Sequence, residues 1–468
     1  MNFTEPEFWV VLVLCAIPIL LIRALVARFR PAAVAGFDQV ALACTSLILF
    51  WFAGGTSLII FVVELLALYL AVALTSTLEG RARKAALVGI LASMFGVLAY
   101  YKYSNFLAND VLRLGIPIVT LAIPPGISFY TFHLSAFVID TLGRREKTPR
   151  FMHYLNFASF FPQLVAGPIE RRHKLLPQVE GLRLAPTWQT LQAGLPFVML
   201  GLVYKTVVAD NLAPFIPHGA TSNPILVWVS AFLFGLRIYF DFAGYSLTAV
   251  GIARCVGIEL TFNFLAPYTS RNIAEFWSRW HRTLSNWFRD YLYIPLGGNR
   301  VRHWALNIII VFTVSGLWHG AGFNFIIWGL LHGILNVLHK LSKRSGIVLP
   351  EFLRWLGTAV IVTFTWLFFQ ETNTGWLVQK VAALFTFGGY TAANASLALH
   401  SVVGSARDAA PFLIAFGLGL ALLVSEHLAY HDEIPYRPLT STRMAMVCAA
   451  GLVLLAAGER SSFIYFSF

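Results

Sequence analysis

The chain has 468 residues, of which 58% are hydrophobic and only 12% are charged. Soluble domains carry about 25% charged residues, so a soluble chain of this composition would expose large apolar patches and aggregate. The net charge of +12 does not form one basic patch, because Lys and Arg occur in short clusters between apolar runs. That distribution follows the positive-inside rule and argues against nucleic-acid binding. The composition predicts an all-α polytopic membrane protein with one domain over residues 1–468.

At roughly 20 apolar residues per crossing, the chain holds about eleven transmembrane helices. In the N-terminal part, residues 1–150, the first four predicted spans are Phe8–Leu25, Asp38–Ala53, Ser57–Ser76 and Ala85–Phe106. Every second loop is basic, which predicts that these loops are cytoplasmic and that the N-terminus is extracytoplasmic. The N-terminus lacks a basic n-region, so we expect a retained span rather than a cleaved signal peptide.

The central part, residues 151–345, has an irregular pattern. The run Phe157–Pro168 is too short and too broken by Pro and Gly to span a membrane. It predicts a re-entrant segment, since broken backbone at membrane depth needs protein or a water-filled cavity around it. Further spans are predicted at Gln192–Val208, Ile225–Phe242, Ser246–Val256, Trp304–Leu317 and Phe323–Leu338.

The segment Ser270–Leu296 combines an aromatic face with a charged face at helical spacing. Six charged residues among its first twenty-one positions exclude an ordinary lipid-exposed span. It predicts an amphipathic helix that lies along an interface or enters a protein-lined cavity.

The C-terminal part, residues 346–468, predicts three further spans. They are Phe352–Phe369, Pro411–Glu426 and Met444–Ala457. The stretch Gly375–Gly388 fits either a short span or an interfacial helix.

His319 is the sharpest candidate for chemistry, because it stands between two predicted spans in Ser315-Gly-Leu-Trp-His-Gly-Ala-Gly322. A titratable residue at membrane depth is costly and indicates function by default. The surrounding glycines leave room for backbone or ligand to approach. A desolvated imidazole stays neutral and suits a general base. The alternative is a structural histidine that bridges two helices.

Other polar residues give weaker indications. His281 lies on the flank of the aromatic face and could equally be an interface residue. Asp241 is spaced i, i+4 from both Tyr245 and Arg237, which favours a structural contact over catalysis. The four cysteines show no C-x-x-C spacing and the histidines have no third ligand, so we predict no metal site. No serine-hydrolase, P-loop or dinucleotide motif stands in a suitable context.

Several motifs together are similar to those of the membrane-bound O-acyltransferase family, over nearly the whole chain. They are Pro124-Pro-Gly-Ile-Ser-Phe-Tyr-Thr-Phe-His133, Phe160-Phe-Pro-Gln-Leu-Val-Ala-Gly-Pro168, Tyr239-Phe-Asp-Phe-Ala-Gly-Tyr245, Asn272–His281, Trp287–Asn299, Gly316-Leu-Trp-His-Gly320 and Phe463–Phe468. The resemblance is to the bacterial branch that acts in alginate O-acetylation and teichoic acid D-alanylation.

This resemblance implies that His319 is catalytic and that His281 is the second histidine of the site. It also implies re-entrant helices around a central cavity or tunnel. We expect His281 and Trp280 to orient the donor, and Arg279, Arg282 and Arg289 to attract an anionic carrier. The candidate substrate- and donor-channel residues are Trp280, Trp318, Arg279, Arg282, Arg289, Asp241, Tyr245 and Gln163.

The expected reaction is transfer of an acyl group, most simply acetyl, from a cytoplasmic thioester to an extracytoplasmic acceptor. The donor would be acetyl-CoA or an acyl-carrier thioester, with no bound cofactor. The acceptor would be a polysaccharide or a periplasmic acyltransferase partner, and the site of action the bacterial inner membrane. Two alternatives are D-alanyl transfer to a cell-wall polymer and a non-enzymatic transport subunit.

Overall fold

A computed structural model describes residues 3–116, 123–343, 349–404, 406–429, 436–456 and 463–464 of the chain. Within these ranges the protein consists of helices and connecting segments, with no β-strand. The all-α prediction is therefore confirmed. The chain divides into two compact units, Met1–Val198 with Tyr245–Phe262, and Met199–Gly244 with Asn263–Phe468. The single-domain interpretation, with divisions at residues 150 and 345, stays a prediction.

The first ten α-helices occupy the N-terminal half of the chain. They are α1 Pro6–Phe29, α2 Val34–Gly54, α3 Ser57–Thr75, α4 Gly80–Asn105, α5 Ile127–Val138, α6 Phe151–Ser159, α7 Phe161–Leu164, α8 Arg172–Glu180, α9 Trp188–Leu202 and α10 Asp210–Leu212.

Ten more α-helices complete the described chain. They are α11 Pro224–Cys255, α12 Ile273–Arg279, α13 Arg282–Phe288, α14 Trp304–His319, α15 Phe323–Ser342, α16 Glu351–Gln370, α17 Thr374–Leu384, α18 Ala392–Val403, α19 Ala406–Leu428 and α20 Thr442–Leu455.

Among the described residues, nine helical segments are long and apolar enough to cross a membrane, and α14, α18 and α20 are shorter apolar helices. The protein is thus a multi-pass membrane protein. Helix α18 has no counterpart among the predicted spans, and the stretch Gly375–Gly388 overlaps the eleven-residue helix α17, Thr374–Leu384. Of the Phe463–Phe468 motif, the structure describes Phe463 and Ile464; the rest lies outside the described residues.

Buried polar side chains in the apolar helices of the first unit have partners on neighbouring helices. Asp38 of α2 is fully buried and pairs with Arg23 of α1 at 2.8 Å. The amide of Asn156 in α6 donates to the side-chain oxygen of Gln39 in α2 at 2.7 Å. The predicted re-entrant run is broken at Phe160, between α6 and α7, and neither helix is long enough to span a bilayer. The ion pair and the hydrogen bond thus give these buried polar side chains partners within the unit, and the position of the broken run in the membrane stays a prediction.

Helix α11 corrects one prediction. The two spans expected at Ile225–Phe242 and Ser246–Val256 are one continuous helix of 32 residues. Asp241 lies next to the end of the first of these predicted spans, as a charged residue in an apolar run. The carboxylate of Asp241 lies 2.7 Å from the ammonium of Lys205, so its charge is compensated and the helix continues.

The second unit contains the helix pair α14–α15, joined by the short turn after His319. Helix α16 packs beside α15, where the amide of Asn324 donates to the backbone carbonyl of Phe368 at 3.1 Å. Helix α12 also contacts α15. These four helices bring His319 and the segment around His281 into the same unit.

Candidate active site

His319 is the last residue of α14 and its side chain is buried, with 3% exposure. Aromatic rings surround the imidazole edge to face. The ring centroid lies 4.9 Å from that of Trp318, 5.1 Å from that of Trp328 on α15, and 5.2 Å from that of Phe369 on α16. Three helices therefore fix the orientation of this imidazole by packing.

The glycines beside His319 serve helix packing. A Cβ atom at Gly316 would lie 2.1 Å from the backbone oxygen of Phe325, and one at Gly320 would lie 2.1 Å from the Phe325 ring. The sequence left open whether backbone or ligand uses this space. In the structure, α15 occupies it, so Gly316 and Gly320 let the two helices meet at backbone distance.

The helix predicted over Ser270–Leu296 is not continuous, which corrects a second prediction. Helix α12 ends at Arg279, α13 begins at Arg282, and a π-helical turn follows at Arg289–Tyr293. His281 stands in the break with φ of 41° and ψ of 52°, in the left-handed region. Non-glycine residues in this region cost about 1–3 kcal/mol and persist only where their surroundings hold them.

Residues Asn263 and Leu265 hold this break. The backbone N–H of Arg282 donates to the carbonyl of Asn263 at 2.9 Å, and the N–H of Leu265 donates to the carbonyl of Arg279 at 3.0 Å. The hydroxyl of Thr283 donates to the side-chain oxygen of Asn263 at 2.7 Å. Asn263 is thus a functional candidate that the sequence analysis missed, because its role depends on a contact twenty residues away.

His281 itself is buried against Phe242 of α11, whose ring centroid lies 4.7 Å from the imidazole. Burial lowers the pKa of His281 to about 3. Desolvation penalises the charged imidazolium, so the ring is neutral at physiological pH. Trp318 contacts both histidines, at 5.8 Å from the His281 ring and 4.9 Å from the His319 ring. The structure therefore brings together His281, His319 and Trp318.

Trp280 lies in an aromatic cluster beside this group. Its ring stacks on Phe276 at 5.5 Å and contacts Phe264 and Trp366, each at 5.0 Å. The side chain is 1% exposed. These contacts give Trp280 a packing role at the base of the break, while its predicted role in orienting the donor stays a prediction.

The three arginines have different surroundings. The guanidinium of Arg279 is buried and contacts the carboxylate of Glu275 and the hydroxyl of Thr269. Arg282 is partly exposed, and burial lowers the pKa of its guanidinium. Arg289 is 59% exposed and pairs with Asp290 at 2.7 Å. Arg282 and Arg289 are thus open to solvent, whereas Arg279 already has a structural partner.

Asp241 does not need the i, i+4 contacts that its spacing suggested. Its carboxylate lies 2.7 Å from Lys205 and also accepts a hydrogen bond from the backbone N–H of Ile464 at 2.7 Å. Lys205 lies 2.7 Å from Asp210 as well. Asp241 therefore anchors the C-terminal Phe463–Ile464 segment to α11.

Gln163 and Tyr245 lie in the first unit. The amide of Gln163 lies 3.0 Å from Nε2 of His133, and His133 also contacts the backbone oxygens of Phe157 and Glu170. Tyr245 stacks on Phe3 at 4.4 Å. The described contacts of both residues are structural, and their predicted place in a substrate channel stays a prediction.

A third buried histidine of the second unit, His332 on α15, was missed by the sequence analysis. The indole N–H of Trp277 donates to its Nδ1 at 3.2 Å, and its ring lies 4.7 Å from Trp328. Its position in an apolar segment was a signal of the same kind as that of His319, but no motif surrounds it. Its pairing with Trp277 of α12 becomes visible only in the fold.

The second unit also holds an apolar cavity of 860 Å³ along α11, α16 and α19. The described residues that line it include Trp366 and Glu426 but neither His281 nor His319. The Glu426 carboxylate accepts hydrogen bonds from the hydroxyls of Tyr204 and Tyr239, each at 2.6 Å. A tunnel that reaches the two histidines therefore stays a prediction.

Among the described residues, no cluster of three or more His, Cys, Asp or Glu side chains could hold a metal ion. The chemistry that the site offers is that of buried imidazoles in apolar surroundings. A neutral imidazole can accept a proton and return it, and a dry setting strengthens its electrostatic effect on a reacting group. Fold and site together define a multi-pass membrane protein with a buried histidine centre.

Comparison with known proteins names the family. Residues 48–378 match the membrane-bound O-acyltransferase family. The chain is 30% identical over 434 residues to a peptidoglycan O-acetyltransferase of Helicobacter pylori, with 82% of each chain covered. It is 34% identical over 418 residues to a probable alginate O-acetylase AlgI of Azotobacter vinelandii, covering 80% of this chain and 82% of the relative.

A teichoic acid D-alanyltransferase of Streptococcus thermophilus is 30% identical over 270 residues, which cover 51% of this chain and 65% of the relative. The chain belongs to the membrane-bound O-acyltransferase family and is an O-acyltransferase. The resemblance seen in the sequence motifs is confirmed.

Proposed function

We propose that the protein transfers an acetyl group from a cytoplasmic thioester to an extracytoplasmic polysaccharide or to a periplasmic partner acyltransferase. The observation that carries the proposal is His319, a buried imidazole held by three aromatic rings, with a second buried histidine, His281, on the other side of Trp318. The matches to O-acetylating relatives over about four fifths of both chains support acetyl as the acyl group.

In the proposed reaction His319 is the general base. Its neutral imidazole accepts the proton of an acceptor hydroxyl as that oxygen attacks the thioester carbonyl. The tetrahedral intermediate collapses with cleavage of the C–S bond, and the imidazolium returns the proton to the leaving thiolate. The acyl group ends as an ester, and the thiol is released without a net change in protons.

His281 would assist from the other side of Trp318. With a pKa of about 3, it stays neutral throughout the cycle and can offer a hydrogen bond but no charge. We propose that Arg282 and Arg289, which reach solvent, attract an anionic donor such as acetyl-CoA or a carrier-bound thioester. The bacterial inner membrane, the cytoplasmic basic loops and the extracytoplasmic N-terminus are parts of the same proposal.

The test compares two histidines at opposite ends of α14. His319→Ala should lower product acetylation by at least about a hundredfold, because general-base catalysis contributes about 10²–10⁴-fold. His303→Ala is the matched control, since His303 is exposed at the N-terminus of the same helix. Both variants would be expressed in a strain lacking the chromosomal gene, and ester-linked acetyl on the envelope polysaccharide would be measured by mass spectrometry.

Normal acetylation by a folded His319→Ala protein would refute the catalytic assignment. Donor identity needs a second measurement, with membrane vesicles given either radiolabelled acetyl-CoA or radiolabelled D-alanyl carrier protein. Label from acetyl-CoA on the product supports the proposal. If only the D-alanyl label reaches the product, the reaction is D-alanyl transfer and not acetyl transfer. If the vesicles transport a substrate without consuming either donor, this chain does not transfer an acyl group.

A further inference from the structure

We propose that His332 is a positioning residue, which fixes His319 and His281 relative to each other through Trp328 and Trp277. The proposal rests on the assignment of His319 as the general base. His332 lies within the apolar helix α15 and is 1% exposed. A titratable side chain buried in a membrane-spanning helix is costly and indicates a specific role.

The first link runs through Trp328. Trp328 and His332 are four residues apart on α15, so their side chains lie on the same face. The Trp328 ring lies 4.7 Å from the imidazole of His332 and 5.1 Å from that of His319. The indole is thus held between the two imidazoles, and its position sets one wall of the His319 pocket.

The second link runs through Trp277. The indole N–H can only donate, so the Nδ1 atom of His332 must be the acceptor in their 3.2 Å hydrogen bond. This requires a neutral imidazole with its proton on Nε2. Trp277 belongs to α12, four residues before His281, so the bond ties α15 to the helix that leads into the break.

The backbone supports both links. A Cβ atom at Gly329 would lie 2.3 Å from the carbonyl oxygen of Phe312, and one at Gly333 would lie 3.0 Å from the Cα of Ile309. Helices α14 and α15 therefore meet along the same stretch of α15 that carries Trp328 and His332. The Trp277–His332 bond attaches α12 to this helix pair.

Positioning has a recognisable kinetic consequence. General-base catalysis depends on distances of about 3 Å, and a misplacement of about 1 Å can cost about a hundredfold in rate. Loss of the contacts of His332 with Trp328 and Trp277 should lower kcat, because the imidazole of His319 is then positioned less accurately. The KM of the donor should change little, because His332 is buried and none of its described contacts is with the exposed arginines. A residue that only stabilises the fold would instead lower the amount of active protein.

The experiment uses the full chain in membrane vesicles of the producing strain, with radiolabelled acetyl-CoA as donor and the native polysaccharide as acceptor. His332→Leu removes the acceptor atom, and Trp277→Phe removes the donor but keeps an aromatic ring. Each should lower kcat by about ten- to a hundredfold, with KM for acetyl-CoA within about twofold of the wild-type value. The double variant should be no worse than the poorer single variant, because both changes break one interaction.

His332→Asn is the rescue variant, since its side-chain oxygen can accept the Trp277 hydrogen bond. We expect its kcat within about fivefold of wild type. Full activity of His332→Leu, additive effects in the double variant, or an inactive but folded His332→Asn would each overturn the proposal. His339→Asn, on the same helix and partly exposed, should leave the kinetics unchanged.

Failure of this inference is distinguishable from failure of the proposed function. If His319→Ala is inactive in the same vesicles but the His332 and Trp277 variants behave as wild type, only the positioning role is refuted. If His319→Ala remains active, the general-base assignment itself is refuted. Protein recovery by size-exclusion chromatography in detergent corrects each rate for folded enzyme.

Discussion

The break that carries His281 and the helix pair that carries His319 hold a buried imidazole by different means. At the break, a left-handed backbone is maintained by hydrogen bonds to the Asn263–Leu265 segment. In the helix pair, ordinary helical backbone is maintained by contact between α14 and α15 at Gly316, and aromatic rings orient the side chain.

The comparison teaches where each histidine is vulnerable. An added Cβ atom at Gly316 or Gly320, beside His319, would overlap Phe325, so an added methyl group should be more damaging there than a lost hydrogen bond. The break around His281 depends on a few polar contacts, so it should fail when a donor or acceptor is removed. Three substitutions test this difference, in decreasing order of their expected effect on stability.

Gly316→Ala should have the largest effect. The new Cβ atom would lie 2.1 Å from the backbone oxygen of Phe325, which cannot move aside as a flexible side chain would. We expect a loss of at least about 3 kcal/mol, the upper end for overpacking, and loss of acyl transfer. The measurement is the midpoint of thermal unfolding in detergent, detected by tryptophan fluorescence.

Gly357→Ala is the matched control for that substitution, because no atom lies within 4 Å of its added Cβ in helix α16. Alanine is favoured over glycine in a helix by about 1 kcal/mol, so this control should be as stable as wild type or more so. Equal midpoints for the two variants would contradict the close contact between α14 and α15.

Asn263→Ala should have an intermediate effect. It removes the buried hydrogen bond from the Thr283 hydroxyl to the Asn263 side chain, at a cost of about 1–3 kcal/mol. The turnover rate should fall even at temperatures where the variant remains folded, because the break that positions His281 is held less firmly. The double variant with Thr283→Val should show a coupling in the unfolding midpoint; strictly additive effects would mean that this hydrogen bond does not support the break.

His281→Asn should have the smallest effect on stability and a large one on activity. Asparagine tolerates the left-handed conformation better than most residues, so we expect a change below about 1 kcal/mol. Acyl transfer should fall by about a hundredfold, because the imidazole is absent. A stable variant with wild-type turnover in vesicles would reduce His281 to a structural residue.

Much of this protein could be predicted from patterns of sequence that are local. Long apolar runs and the scarcity of charge predict a helical membrane protein, because lipid tolerates a spanning segment only if it satisfies its own backbone hydrogen bonds. The same reasoning marks His319, since a titratable group among apolar residues is costly wherever the chain folds. The Trp-His-Gly motif adds the resemblance to the family, and that resemblance implies the catalytic role proposed for His319.

What local patterns could not provide are the contacts between distant residues. Helical periodicity continues through His281, and only the hydrogen bonds to Asn263 and Leu265 explain why the helix breaks there. In the sequence Asp241 is a charged residue in an apolar run, and only the fold shows that Lys205, thirty-six positions earlier, compensates its charge. His332 is inconspicuous until Trp277, fifty-five residues away, donates to it.

The sequence alone therefore indicated that the protein lies in lipid, that it is helical and that His319 is a candidate for function. Each of these depends on the free energy of a single segment in lipid. The tertiary structure decided how the imidazoles are held. The left-handed backbone at His281, the close contact at Gly316 and the Trp277–His332 hydrogen bond each need a residue from a distant part of the chain. Only the folded chain brings these residues together.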